Sequence, residues 1–168
     1  MSGTTNIKDI GAYLERFGFK NYKIIADGPE GGQLLTGWDG KFGKYVSSIE
    51  VNHKTNTMLF VVPGIAAAPR DQIPPGRLAD ILMAVGFANY ALLIGRFAYD
   101  PNDGEIRYNY VIPIDNAALT FEQFAHVMAA TVQTVDYWAP RLRAACEGAR
   151  TGESVVESFM GHIAGFKA

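Results

Sequence analysis

Between Tyr22 and Val62 four β-prone segments follow one another with connections too short for anything but antiparallel pairing. Tyr22–Ala26 is apolar and β-prone, and Asp27–Gly32 (DGPEGG) reads as a turn. Gln33–Trp38 follows, closed by Asp39-Gly40, a strong hairpin signal. Lys44–Asn52 alternates as a strand, His53–Asn56 turns the chain, and Thr57–Val62 forms the next strand. A parallel pair would need a crossover of about a dozen residues or more, so these segments form a sequential antiparallel meander. Pro63, Pro69, Pro74 and Pro75 crowd the next stretch, and Gly64–Gly76 is therefore expected to be a stiff connector rather than a strand. A hairpin, Arg96–Asp100 with Glu105–Ile114, is expected around the turn DPNDG. Ile106, Tyr108, Tyr110 and Ile112 lie on one face of its second strand, with Arg107 and Asn109 opposite.

Helical signals separate these strands. Thr5 and Asn6 can cap a first helix whose stripe is Ile7, Ile10, Ala12, Leu14 and Phe17, ended by Gly18. Thr120-Phe121-Glu122-Gln123 is a capping box opening a third helix. Its stripe is Phe121, Phe124, Met128, Val132, Val135 and Leu142; Pro140 should kink or split it, and Gly148 should end it. In the tail, Ser154-Val155-Val156-Glu157 has the form of a capping box, and Val155, Val156, Phe159, Met160 and Ile163 recur at helical spacing. The tail either packs back on its own domain as a fourth helix, the reading favoured here, or covers a client groove and leaves when the client arrives. The order α-β-β-β-β-α-β-β-α plus a short C-terminal helix indicates an α+β fold, an antiparallel sheet with helices packed on one face. Residues 1–148 are expected to form one domain and 149–168 a tail.

The second helix, expected over Arg77–Ile94, is apolar on two faces. Leu78, Ile81, Leu82, Val85, Leu92 and Leu93 make one, and Met83, Phe87, Tyr90 and Ile94 the other. A helix apolar on both faces must be buried on both. One face can sit on the sheet. The other needs a second subunit, unless the third helix or the tail covers it. Met83, Phe87, Tyr90 and Ile94 are thus the candidate homodimer interface.

Catalytic, metal and cofactor signatures are missing from the sequence. His53, His126 and His162 form no metal-ligand spacing. DPNDG (Asp100, Asn102, Asp103, Gly104) is explained as a hairpin turn, since Val111 stands where a calcium loop needs a bidentate Glu. The glycines of DGPEGG and DGKFGK join strands and fit no phosphate loop. No GxSxG elbow occurs. Cys146 is the single cysteine, read as a small buried apolar residue, and Trp38 and Trp138 as packing residues. The net charge is −2, and Arg141–Arg150 also holds Glu147 and three alanines, so no nucleic-acid partner is expected. The start MSGTTNIKDI lacks a signal-peptide pattern, and the uncharged Ile81–Gly95 is too short for a span of about 20 residues. A cytoplasmic protein that meets no membrane is the expectation.

From about Leu78 to Leu142 the chain resembles the YbjN-like family of bacterial sensory transduction regulators. The resemblance lies in a helix carrying Asn89 near its end, Gly95-Arg96-Phe97 with Tyr99-Asp100, the segment DGEIRYNYVIPID, LTFEQF, and the helix ending DYWAPRL. The first half agrees in element order, and the residues beyond Gly148 are an addition. The resemblance implies a fold like that of type III secretion chaperones, commonly paired into dimers that hold an unfolded stretch of a secreted protein. It supplies no catalytic residue. The functional expectation is a non-enzymatic protein-binding regulator or chaperone-like adaptor, acting as a homodimer on an unidentified protein or peptide client. The alternatives are a small-molecule sensor or enzyme with its site in the sheet or dimer cleft, and a subunit of a larger assembly.

Overall fold

The computed structural model describes residues 5–114 and 118–165, with side chains through Met160, so the expectations for Ile163 and His162 lie outside the described side chains. α1 (Ile7–Phe17) starts at Asn6, whose side chain accepts the N–H groups of Lys8 and Asp9, while the Asp9 carboxylate accepts that of Asn6. Gly18 ends the helix at φ 106°. Thr5 takes no part in the cap. It is buried, and its hydroxyl accepts the Leu119 N–H at 2.7 Å, tying the two segments together.

The sheet contains β1 (Tyr22–Gly28), β2 (Gly31–Gly40), β3 (Gly43–Asn52), β4 (Thr57–Ala67), β5 (Arg96–Tyr99) and β6 (Glu105–Pro113). All neighbours are antiparallel, in the order β1-β2-β3-β4-β6-β5. The meander is as expected but its strands are longer. Gly28 pairs with Gly31, which leaves only Pro29 and Glu30 as the turn. β4 corrects the reading of Gly64–Gly76 as connector throughout, because the strand continues to Ala67. Between the pairs Val62↔Tyr108 and Ala66↔Ile106 three residues oppose one, which makes a bulge. A bulge is where a strand accepts a proline. Gly64 takes φ 64°, and its N–H donates to Glu105 Oε1 at 2.8 Å.

α2 (Arg77–Ala91) stops short of Ile94. Asn89 pins its end to the edge strand. The Asn89 amide donates to the Phe97 carbonyl at 2.9 Å and accepts the Phe97 N–H at 2.7 Å, so one side chain acts as a strand partner for β5. α3 (Phe121–Cys146) carries the expected Thr120–Gln123 capping box. It is one helix across Pro140 and is not split. Buried Val135, Trp138, Ala139, Leu142 and Ala145 flank the proline on both sides, and their packing offsets a cost of about 3 kcal/mol. α4 (Gly152–Gly165) begins before Ser154. The Thr151 hydroxyl accepts the Ser154 N–H at 3.1 Å, so Thr151 takes the capping role the sequence assigned to Ser154.

All helices lie on one face of the sheet. α1 and the first half of α3 cover a core of Ile10, Leu14, Leu34, Ile49, Phe60 and Phe124. α2 and the second half of α3 cover Val62, Ile81, Phe97, Tyr108 and Trp138. On the opposite sheet face Leu35, Val46 and Val111 are exposed.

Candidate protein-binding surfaces

Ile81, Ala84, Val85 and Ala88 of α2 are buried in the domain core. The rest of the helix divides in two. Phe87 turns toward α4 and is half-buried. Its ring meets Phe159 edge-on at 5.4 Å and Trp138 at 6.3 Å. Phe159 in turn stacks on Trp138 at 5.6 Å and meets Tyr137 edge-on at 6.2 Å. Tyr90 faces outward, 85% exposed, and stacks on Phe87 at 6.2 Å, with exposed Leu82 and Leu93 nearby. Met83 is 52% exposed and borders α4, its Cβ lying against Gly152. Ile94 lies past the helix end and is half-buried. Met83, Phe87 and Tyr90 are thus neighbours on α2, with α4 covering the Met83–Phe87 side and Tyr90 left open, while Ile94 is in the loop to β5.

Gly86 lies between Met83 and Tyr90 on the outward face, with nothing within 4 Å of where a Cβ would be. Glycine inside a helix costs about 1 kcal/mol relative to alanine. The backbone is thus bare at the centre of an apolar strip.

A second arrangement joins three helix ends. Arg77 pairs with Asp80 at 3.1 Å, with side chains 16% and 29% exposed. The Arg77 guanidinium also donates to the Ala145 carbonyl at 3.0 Å and to the Arg150 carbonyl. The other Asp80 oxygen accepts the Gly152 N–H at 3.1 Å. A cation thus sits at the C-terminus of α3 and an anion at the N-terminus of α4, each matching the helix dipole.

The open sheet face went unread in the sequence. Its signal was present, because Met58-Leu59-Phe60-Val61-Val62 is apolar at five consecutive positions. A run without alternation marks a strand with apolar residues on both faces. Met58, Phe60 and Val62 are buried, while Leu59 and Val61 lie on the face away from the helices.

The residues weighed for chemistry are dispersed. His53 lies in the β3–β4 turn and His126 is exposed on α3. Asp100 accepts the Asn102 N–H and Asp103 that of Glu105, so both carboxylates serve their own hairpin. Among the described residues no group of three His, Cys, Asp or Glu could hold a metal. A cleft of about 460 Å³ opens between β6 and α3, lined by Tyr110, Ile112, Leu119, Glu122, Gln123 and His126. Gln123 is engaged in the helix cap, and Glu122 faces Arg16 at 3.7 Å.

Burial pushes the Cys146 thiol up to about 11, helped by Glu147 and opposed by Arg77. A raised acid is neutral in the folded chain. Its contribution to stability is full below the ordinary thiol range and is lost as pH rises toward the folded value. At pH 8 a disulfide reagent should therefore label the unfolded chain quickly and the folded chain at least roughly tenfold more slowly. Equal rates would show an accessible thiolate.

Residues 6–144 match the YbjN family, described as "Putative bacterial sensory transduction regulator". No curated protein matches the chain. Among solved structures, the chain is similar to one in "Crystal Structure of the ExsC-ExsE Complex", with TM-score 0.47 and 14% identity, covering 83% of this chain and 98% of that one. It is also similar to one in "Structure of the HopA1-SchA Chaperone-Effector Complex", with TM-score 0.43 and 13% identity, covering 77% and 89%. No helix among the described residues is long and apolar enough to cross a membrane.

Proposed function

The chain belongs to the YbjN family, and from that premise we propose that it is a non-enzymatic protein-binding regulator, chaperone-like in action, that works in the cytoplasm as a homodimer. The observation that carries the reading is the outward strip of α2, where Met83, Gly86 and Tyr90 share a face beside exposed Leu82 and Leu93. A bare glycine backbone between two large apolar side chains lets a second helix approach closely. Burying one large apolar side chain is worth about 1.5–3 kcal/mol, and a symmetric interface counts each twice. The cleft beside α3 gives the small-molecule alternative little, since its Gln123 and Glu122 already serve the helix cap and Arg16.

Wild-type protein is expected to run as a dimer by light scattering at tens of micromolar. Tyr90→Glu combined with Leu93→Glu, both exposed, should give a monomer with unchanged far-UV circular dichroism. A monomeric wild type at that concentration would refute the α2 dimer.

A further inference from the structure

We infer that the slot between α2 and α3, filled here by α4, is a receptor for an amphipathic helix of a partner protein, with α4 as its exchangeable occupant in cis. The inference rests on the protein-binding reading and assigns it a site. Phe87, Trp138 and Tyr137 line the slot, and all three lie within the family match of 6–144, whereas α4 lies outside it. The receptor thus belongs to the shared domain and its occupant to an extension.

The seated helix states what the slot accepts. Gly152 packs so closely that a Cβ there would come 2.7 Å from the Asp80 carbonyl and 2.8 Å from Met83 Cβ, so this position needs a residue without a side chain. Val155, three residues on, is fully buried. Phe159, four residues further, enters a space bounded by three rings from two helices. The partner is therefore a helix bearing glycine, then a β-branched residue at the third position after it, then an aromatic at the seventh. Its first free N–H would meet the Asp80 carboxylate, as that of Gly152 does.

α4 is held lightly enough to leave. Of its nine residues from Gly152 to Met160 it buries two, Gly152 and Val155, whereas α3 buries nine of its 26. Met160 is 55% exposed, and the helix contains Gly152, Gly161 and Gly165. A helix of this length is marginal in water without docking. At its start it is tied by the Gly152 N–H to Asp80, which pairs with Arg77, and Gly148, at φ 81°, lies at the joint before it.

The experiment uses the full chain and a fluorescent peptide of residues 149–165, read by anisotropy, with light scattering on the same samples. Phe159→Ala in the chain loosens the cis helix and leaves the slot intact. It should raise peptide affinity roughly tenfold over wild type, equivalent to about 1.4 kcal/mol. The same peptide carrying that alanine should not bind. Asp80→Ala should speed hydrogen exchange in α4 and leave the first half of α3 unchanged. The proposal is overturned if Phe159→Ala binds the peptide no better than wild type, or if α4 amides exchange no faster than those of α3. Conversion of a dimer to monomers by the peptide would assign the slot to a second copy's α4 and overturn it too. A wild-type monomer that still binds the peptide would sink the dimer alone.

Discussion

Trp138→Ala is expected to lower the free energy of unfolding by about 3–5 kcal/mol. The indole is 2% exposed and sits where three helices meet. Its ring lies 6.3 Å from Phe87 of α2, 5.2 Å from Tyr137 of α3 and 5.6 Å from Phe159 of α4. Removing it deletes buried area and leaves a cavity that the rings of Phe87 and Tyr137, held on α2 and α3, do not fill. The measurement is the urea midpoint at unchanged slope. A loss under about 1 kcal/mol, the average for any point change, would mean that the aromatic cluster is not part of the core.

Gly95→Ala is expected to cost about 2–5 kcal/mol, the sum of a left-handed backbone penalty and an overpacking penalty. Gly95 has φ 71°, and a Cβ there would lie 2.0 Å from Tyr108 Oη and 2.4 Å from its Cζ. The ring cannot swing away. Tyr108 is fully buried, packs on Phe97 at 5.3 Å, and its hydroxyl is pushed up to about 12 by burial. Gly64→Ala separates the two penalties. Gly64 has a similar φ of 64° but nothing within 4 Å of the new Cβ, so it should cost only about 1–2 kcal/mol. Equal melting temperatures for the two variants would show that the Tyr108 clash is absent.

Much of the domain was legible because its signals are local. The caps at Asn6 and Thr120 involve partners within three residues, and both form as read. The alternation of Ile106 and Tyr108 against Arg107 and Asn109 marked which face of β6 is buried. Where the reading failed, a distant group had intervened. β4 continues past Pro63 because Glu105 supplies an acceptor for the Gly64 N–H. α2 stops at Ala91, where Asn89 turns its side chain to the backbone of Phe97. The candidate surface was legible as apolar positions on α2, but not the part of it that α4 covers. Sequence spacing cannot show that Phe159 would cover Phe87 and leave Tyr90 bare.

By itself the sequence determined the antiparallel meander, through connections too short to cross over, and the identity of each helix, through periodicity and caps. It also determined that α2 carries more apolar surface than the sheet can cover. The tertiary structure alone decided what meets that surface. α4 takes the Phe87 flank because the Arg77–Asp80 pair holds the end of α3 and the start of α4 together. Periodicity reports which face of an element avoids water. The group that replaces water there comes from far along the chain, and only the folded arrangement brings it into contact.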